Sequence, residues 1–339
     1  MAGKKIKVLV TDDSLVSREI ISRGISADPD IEVVAKAVDA FDARDKILMV
    51  EPDVMICDIE MPRMNGIEFV RRLIPQYPLP VIVVSRVSDA VFEAMNAGAV
   101  DFVTKPDADT SQSVSEFLKE LIAKVKIAAN ARVSKPGQEL PFKPANQIGQ
   151  NCNKIIAIAA STGGTEAIFE LMKNLPSDIP GILIVQHIPP MFSRLFAERL
   201  DTQTNLQVKE AESGDYVQQG KVLIAPGDQH MRIKRIGDRY KAETFYAEKV
   251  NGHCPSADVL FESVAREARG SSVGIILTGM GNDGAKGLLS MRNAGARTIG
   301  QDENSCVVYG MPKAAYEIGA VEKQSSLSAI PAVLLRMLK

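Results

Sequence analysis

The sequence predicts two α/β domains joined by a linker, on three observations. The chain has 339 residues, which corresponds to about two domains at roughly 150 residues each. Short apolar, β-rich runs alternate with helical periodicity in both halves, which predicts parallel sheets covered by helices on both faces. Between them, Ser134–Asn153 is rich in proline, glycine, glutamine and asparagine and too poor in apolar residues to fold alone. We therefore expect a first domain over residues 1–130, a linker over 131–153 and a second domain over 154–339.

The first domain is predicted to contain five parallel strands. The connections between them are about ten residues or longer, as parallel crossovers require. The predicted strands are Ile6–Val10, Ile31–Ala37, Val54–Cys57, Val81–Val84 and Asp101–Val103. The predicted helices lie near residues 14–27, 40–49, 65–73, 88–97 and 113–129.

The second domain is predicted to be a doubly wound, mainly parallel α/β domain. Its predicted strands are Ile155–Ala159, Gly181–Gln186, Gln207–Glu210, Lys221–Ala225, Val273–Leu277 and Thr298–Gly300. Helical patterns near residues 164–174, 191–200, 256–268, 284–294 and 312–318 separate these strands. We find no internal repeat, so the two halves are unrelated in motif.

Composition excludes several classes of protein. Lys and Arg total 40 against 42 Asp and Glu, a net charge of −2, which gives no basic surface for tracking nucleic acid. The apolar runs are far shorter than the ~20 residues of a membrane-spanning helix, and Met1–Lys7 leads into a strand rather than a signal-peptide core. Four cysteines without a CxxC pair are typical of reduced thiols. We expect a cytoplasmic protein with no membrane insertion and no nucleic-acid partner.

Charged residues follow three predicted strands of the first domain. Asp12 and Asp13 follow the first strand, Asp58 the third and Lys105 the fifth, at the sheet edge where open parallel sheets bind ligands. Carboxylates gathered there repel one another unless a hard divalent cation such as Mg²⁺ binds them. Asp58 would act as a carboxylate nucleophile that forms an aspartyl-phosphate, and Lys105 would contact phosphate oxygens. Taken singly, each acid could merely cap a helix or begin a turn, but their joint placement favours a site.

In the second domain, small residues surround Ser161 where a strand turns into a helix. This arrangement resembles the strand–turn–helix that exposes a nucleophilic serine, although such a turn also caps a helix or binds phosphate. Of the three histidines, His187 directly follows a strand, whereas His230 and His253 are predicted to lie in loops with surface or capping roles. Asp283 is the acid in the turn after Val273–Leu277, which completes an admissible Ser–His–Asp set. The alternative for His187 is a strand-end histidine satisfied by the backbone.

The same turn offers a competing interpretation. Residues 279–284 read G-x-G-x-x-G, with Asp302 about twenty residues further on, as in a dinucleotide-binding fingerprint. The motif comes late in its domain, however, and Asp283 would place a carboxylate where the pyrophosphate lies. We therefore favour the hydrolase interpretation.

The first half resembles the receiver domain of response regulators over Lys5–Ala129. The matching motifs are Asp12-Asp13-Ser14, Asp58-Ile59-Glu60-Met61-Pro62-Arg63-Met64-Asn65-Gly66 and Thr104-Lys105-Pro106. The resemblance implies a flavodoxin-like sheet of order 2-1-3-4-5, phosphorylation of Asp58, and Mg²⁺ bound by Asp13 and Asp58 with assistance from Asp12.

The resemblance also implies roles for three residues outside the acid cluster. Ser85 would be the hydroxyl switch, Phe102 the switch aromatic and Lys105 the cation that contacts the phosphate. Two departures stand out: Asn65 occupies a position where the family usually has Asp, and the segment after Ser85 is shorter than in close relatives. The second departure bears on how the signal leaves through the fourth helix.

The second half, over Lys154–Ala320, resembles the catalytic domain of the CheB family of chemotaxis receptor methylesterases. The matching segments are residues 158–164, 185–190, 255–261, 277–285 and 301–312. The resemblance implies Ser161 as nucleophile, His187 as general base and then acid, and Asp283 as the orienting carboxylate. Backbone amides of Thr162 and Met280 would form the oxyanion hole, and the esterase reaction would need no cofactor.

The two resemblances together imply a phosphorylation-regulated enzyme of chemotactic adaptation. Its substrates would be glutamate methyl esters on methyl-accepting chemoreceptors, with deamidation of receptor glutamines by the same residues. A chemotaxis histidine kinase would supply the phosphate, and we expect a monomer. The rival hypotheses are a binding protein with a silent esterase site and a nucleotide-dependent enzyme. A transcription factor is disfavoured because no helix-turn-helix follows the linker.

Overall fold

The computed structural model describes residues 4–86, 88–106, 111–133 and 154–339. The chain divides into two compact units, Met1–Gln138 and Glu139–Lys339. Within the predicted linker, residues 134–153 lie outside the described residues. In the part of the chain that is described, no helix combines the length and apolar character needed to cross a bilayer.

The first unit contains a parallel five-stranded sheet in the order β2-β1-β3-β4-β5, which confirms the predicted order. The strands are β1 (Ile6–Thr11), β2 (Ile31–Ala37), β3 (Val54–Asp58), β4 (Val81–Ser85) and β5 (Asp101–Thr104). The helices are α1 (Leu15–Ile25), α2 (Ala40–Val50), α3 (Gly66–Leu73), α4 (Ser88–Asn96) and α5 (Ser111–Ala128). Every residue of β3 and β4 is buried, as expected for central strands with both faces covered.

Short polar side chains fix where the helices of this unit begin. Ser14 accepts a hydrogen bond from the Ser17 amide at the start of α1, and Asn65 accepts one from the Glu68 amide at the start of α3, at 2.8 Å. Asn and Asp are about equally good at this capping position. The Asn65 departure from the receiver pattern therefore preserves the local function of that residue.

The second unit contains a seven-stranded sheet, parallel in every described pairing, in the order β14-β13-β12-β6-β7-β9-β8. Its strands are β6 (Ile155–Ala160), β7 (Ile182–Gln186), β8 (Gln207–Glu210), β9 (Lys221–Ile224), β12 (Ser272–Ile276), β13 (Arg297–Gln301) and β14 (Lys323–Ser325). The helices are α6 (Gly164–Lys173), α7 (Pro190–Gln203), α8 (Ala257–Glu267), α9 (Ala285–Asn293), α10 (Met311–Glu317) and α11 (Ile330–Leu338). The predicted α/β class is confirmed for both halves.

Four elements of this unit are absent from the sequence prediction. Strands β10 (His230–Ile236) and β11 (Arg239–Phe245) form a separate antiparallel hairpin. Strand β14 is one edge of the seven-stranded sheet, and α11 packs on β13 and β12. The prediction that His230 lies in a loop is wrong. It is the first residue of β10 and only 1% exposed, because its ring accepts a hydrogen bond from the Ser256 amide and contacts the Glu248 carbonyl.

Strand β6 occupies the position that determines where a site can form. The chain runs from β6 to β7, continues to the edge strand β8, comes back to β9 between them, and later places β12 on the other side of β6. Loops leaving neighbouring strands on either side of such a switch point enclose a crevice at the carboxyl edge of the sheet. The turns after β6, β7 and β12 therefore share this crevice.

Candidate functional site

The three predicted acids of the first unit lie together at the carboxyl edge of its sheet. Strands β1 and β3 are neighbours, with Thr11 paired to Cys57, so the residues that follow them meet. Carboxylate oxygens of Asp12, Asp13 and Asp58 all lie within 4.8 Å of one another. Asp12 and Asp58 are buried and Asp13 is exposed. This donor set fits a hard divalent cation that keeps part of its water shell.

Lys105 joins this acid cluster from the end of β5. Its Nζ donates to Asp12 Oδ2 at 2.9 Å and to Asp58 Oδ2 at 2.7 Å. Burial acts to lower the pKa of Lys105, but the hydrogen bonds to Asp58 and Asp12 outweigh it and raise the pKa. Burial also raises the pKa of Asp58, reinforced by the Asp12 charge and opposed by Lys105. A bound cation would favour ionised Asp58 in this setting.

Ser85 and Phe102 lie on the strands next to the acid cluster. Asp58 pairs with Val84, so Ser85, the last residue of β4, follows directly at the same edge and is buried. Phe102 in β5 is also buried, and the Lys124 ammonium lies 4.9 Å from its ring centroid. In this structure the aromatic side chain therefore points inward.

Two glycines shape the turn that carries Ser161 between β6 and α6. Gly163 has a φ of +74°, and a Cβ there would lie 2.7 Å from Val307 Cβ. A Cβ on Gly164 would lie 2.2 Å from Gln186 Oε1. The turn thus needs glycine at both positions, once for conformation and once for space. It leaves Ser161 partly exposed at the N-terminal end of α6.

Gln186, the last residue of β7, ties the Ser161 turn to His187. Its Nε2 donates to the Ser161 carbonyl at 2.9 Å and to the His187 carbonyl at 3.3 Å. The His187 amide in turn donates to the Ala160 carbonyl at 3.2 Å. Gln186 is buried and had no role in the sequence prediction beyond its place in a motif.

The imidazole of His187 is paired through one nitrogen only. Its Nε2 lies 2.9 Å from Asp283 Oδ2, whereas Nδ1 is buried and has no hydrogen-bond partner among the described residues. The structure therefore brings His187 and Asp283 together but does not form the hydrogen bond between Ser161 and His187. Hydrogen bonds to a catalytic base are often long in the absence of substrate.

Asp283 is held by more donors than His187 alone. The others are the side chains of Asn251 (2.8 Å) and Ser256 (2.7 Å) and the amides of Ala257 (2.6 Å) and Asp258 (3.4 Å). Burial acts to raise the pKa of Asp283, but the hydrogen bonds from His187, Asn251 and Ser256 outweigh it and hold the pKa well below its ordinary range. Asp283 is therefore ionised at neutral pH, and Nε2 of His187 carries the proton between them.

The glycine-rich turn after β12 is explained by its packing. A Cβ on Gly279 would lie 2.7 Å from Ser161 Cβ and 2.5 Å from Met311 Sδ, so this turn rests directly on the serine. The acid expected on a ribose, Asp302, instead accepts from the amide and hydroxyl of Ser305. These contacts argue against the dinucleotide interpretation.

The two predicted oxyanion donors lie on turns beside the serine. Thr162 follows Ser161, is buried, and its carbonyl accepts from the Thr278 hydroxyl at 3.0 Å. Met280 follows Gly279 and keeps 47% of its surface exposed.

His253, predicted to have only a surface or capping role, lies in this site. It lies in a loop, as expected, but its ring stacks on that of His187, with centroids 3.7 Å apart and planes at 7°. Burial first, then the charge of His187, lowers the pKa of His253 to about 4. No signal in the sequence distinguishes this histidine from a surface one.

Comparison with known proteins supports the family resemblance of each half of the chain. The CheB methylesterase family matches residues 156–334, and the response regulator receiver domain matches residues 8–134. A protein-glutamate methylesterase/protein-glutamine glutaminase of Syntrophomonas wolfei is 56% identical over 100% of this chain and 99% of its own. One from Syntrophotalea carbinolica is 48% identical over 96% of each chain.

Among solved structures, the crystal structure of the Thermotoga maritima CheB methylesterase catalytic domain is similar to this chain. It has 37% sequence identity and a TM-score of 0.53, and the match covers 54% of this chain and 98% of that one. These matches confirm the resemblances found in the two halves: the chain belongs to the CheB methylesterase family and combines a receiver domain with a methylesterase domain.

Proposed function

We propose that this protein hydrolyses glutamate methyl esters on methyl-accepting chemoreceptors with Ser161, His187 and Asp283, under the control of its receiver domain. One observation carries the proposal. His187 is bound to Asp283 through Nε2 at 2.9 Å, its Nδ1 has no hydrogen-bond partner among the described residues, and it lies next to a glycine-dependent turn that presents a serine. A base with one oriented and one available nitrogen is what nucleophile activation requires.

The first half of the reaction transfers the acyl group to the enzyme. His187 Nδ1 takes the proton of the Ser161 hydroxyl while Oγ attacks the ester carbonyl, which gives a tetrahedral oxyanion. The amides of Thr162 and Met280 donate to that oxyanion, and loss of one such donor typically costs ~2.7–4 kcal/mol of barrier. His187 then protonates the leaving oxygen, so methanol departs and Ser161 carries the acyl group.

The second half of the reaction restores the free enzyme. Water loses a proton to His187 and attacks the acyl carbonyl, and His187 returns the proton to Ser161 Oγ as free glutamate leaves. A glutamine side chain follows the same path with ammonia as the leaving group, because amide and ester share the tetrahedral intermediate. The same residues therefore account for the glutaminase activity that the relatives' names describe.

In the receiver, Asp58 accepts the phosphoryl group from a chemotaxis histidine kinase. Asp12, Asp13 and Asp58 would hold Mg²⁺, which neutralises charge on the phosphoryl oxygens. Lys105 is already within hydrogen-bond distance of Asp58 and contacts the phosphoryl oxygens once Asp58 is modified. Ser85 and Phe102 pass the change on from Asp58, and the phosphorylation state of the receiver thereby controls the esterase activity of the second domain.

The place of action, the partners and the oligomeric state follow from the proposed methylesterase function. The substrate sites lie on the cytoplasmic part of a receptor, so the enzyme acts in the cytoplasm without inserting into the membrane. A near-neutral net charge of −2 gives no basis for a nucleic-acid partner. We propose that it acts as a monomer.

Methanol release from methylated receptor membranes tests the esterase assignment. We expect Ser161→Ala to lose nearly all activity and keep the wild-type far-UV circular dichroism spectrum, because the hydroxyl is the nucleophile. Retained turnover in that variant would exclude Ser161 as the nucleophile, and absence of turnover in the wild type would favour a binding protein with a silent site.

Phosphodonor dependence tests the regulatory half. Asp58→Asn is expected to keep basal methanol release and to lose stimulation by acetyl phosphate, because the amide cannot form the acyl phosphate. Asp45→Asn, a change at an exposed acid of α2, is the matched control and should respond as the wild type does. Stimulation of Asp58→Asn would show that the switch lies elsewhere.

A further inference from the structure

A two-residue turn places His253 against His187. Val250 and His253 exchange both backbone hydrogen bonds, at 3.0 and 2.9 Å. The residues between them, Asn251 and Gly252, have φ of 53° and 82°, the signature of a type I′ turn. Asn251 from this turn also donates to Asp283 Oδ1 at 2.8 Å. One tight turn therefore supplies a partner to each member of the His187–Asp283 pair.

The hydrogen bond to Asp283 does not by itself fix the ring of His187. A single hydrogen bond at Nε2 fixes one ring atom, so the ring plane can still turn about the line from Cβ to Nε2, and this turn would move Nδ1. The His253 ring lies parallel to it at 3.7 Å, a stacked contact that blocks this rotation. His253 makes this contact through its ring face and is half-buried.

We infer that His253 is a positioning residue for the reaction proposed above, whose stacked ring holds the plane of the general base His187. The inference rests on the proposed function. His253 exchanges no proton with the substrate; it acts through His187, and its contribution is the geometry of Nδ1 relative to Ser161 Oγ.

The charge state of His253 suits this role. The titratable groups facing its ring are His187, Asp283 and Lys249, and burial with the His187 charge keeps its pKa near 4. His253 is therefore neutral while His187 becomes positively charged during turnover. A second positive charge at 3.7 Å would oppose that step.

Substitutions that keep or remove the ring test the inference. We expect His253→Ala to lower kcat by up to about a hundredfold, the loss associated with small misplacement of a reacting group, with KM within about twofold. His253→Phe keeps a stacking ring and should recover most of that loss. Tyr246→Ala, which removes an exposed aromatic from the same loop, is the control and should match the wild type.

The pH profile adds a readout that a merely structural role would not move. A phenyl face stabilises the charged form of His187 through a cation–π contact, so the acid limb of kcat/KM in His253→Phe should lie about half a pH unit above that of the wild type. An unshifted limb, wild-type kcat in His253→Ala, or an equal loss in the Phe and Ala variants would each overturn the inference.

Labelling of Ser161 by a fluorophosphonate separates this inference from the proposed function. The labelling rate depends on activation of the serine by His187 and not on any receptor. If the wild type labels but releases no methanol, the proposed substrate is wrong, and a slower rate in His253→Ala, recovered in His253→Phe, still supports the inference. If the wild type neither labels nor turns over, both fail. Thermal unfolding of each variant checks that the fold is retained.

Discussion

Replacing Asp283 with asparagine is the sharpest test of the proposed catalytic pair, His187 and Asp283, because the change removes one charge and almost no volume. Asp283 Oδ2 accepts from His187 Nε2 at 2.9 Å and from the Ala257 amide at 2.6 Å. Oδ1 accepts from Asn251 and Ser256. An amide has one acceptor oxygen, so its NH₂ group must face donors at one of these two positions.

Either orientation of the amide damages the site. If NH₂ faces His187, it opposes the Ala257 amide, and Nε2 must become an acceptor, so the proton moves to Nδ1 and the base nitrogen is blocked. If NH₂ faces Asn251, two donors oppose each other in a buried place, at a cost of about 1–3 kcal/mol of folding stability. In both cases the negative charge that stabilises the imidazolium is lost.

We expect Asp283→Asn to lower kcat by about 10⁴-fold, the loss found when a triad carboxylate becomes an amide. That loss corresponds to about 5.4 kcal/mol at ~1.36 kcal/mol per decade. Methanol release measures it, and denaturant unfolding measures the stability term. Asp302→Asn is the matched control, because Asp302 lies after the neighbouring strand β13 and its carboxylate accepts hydrogen bonds only from Ser305 among the described residues. A variant of intact fold within tenfold of wild-type kcat would refute the role of Asp283.

Two further predictions concern the same site. Gly279→Ala should abolish most methanol release and lower the melting temperature, because its Cβ would lie 2.7 Å from Ser161 Cβ. Gly237→Ala, where the new Cβ meets open space, is the control for a glycine-to-alanine change without a clash, and activity in Gly279→Ala equal to that of Gly237→Ala would contradict the packing argument. The stability advantage of wild type over Asp283→Asn should be constant above about pH 5 and shrink below about pH 4, because a carboxyl whose folded pKa is depressed loses its contribution to stability as the pH falls below the unfolded pKa. Denaturant unfolding at several pH values measures this advantage. An advantage that persists undiminished in strong acid would mean that the charge of Asp283 does not stabilise the fold.

The positions of most strands and of the candidate residues could be predicted from the sequence. Continuous apolar runs such as Ile182–Val185 indicate strands buried on both faces. Charged or small residues directly after such runs indicate the carboxyl edge of the sheet, where binding and catalytic residues lie. The predicted bounds of β2 coincide with the observed ones, and those of β6 and β12 differ by one residue. These signals are local, so reading the chain in order suffices.

The missed elements differ in how much signal they carry. The hairpin β10–β11 has one: Met231, Ile233, Tyr240 and Ala242 are buried in alternation with polar residues around Gly237, which is the pattern of a hairpin with a tight turn. Strand β14 has none, because Lys323–Ser325 is three polar residues that become a strand only by pairing with β13. Its pairing partner is distant in sequence.

The two α/β halves, the acid cluster and the candidate residues Ser161, His187 and Asp283 can all be predicted from the sequence, because each is marked by its immediate neighbours at a strand end. The folded structure was needed to show which nitrogen of His187 meets Asp283, that Asn251 and Ser256 donate to that carboxylate, and that His253 stacks on His187. These contacts join loops more than sixty residues apart in the case of the two histidines, and hydrogen bonding and ring stacking depend on distances that no local pattern encodes.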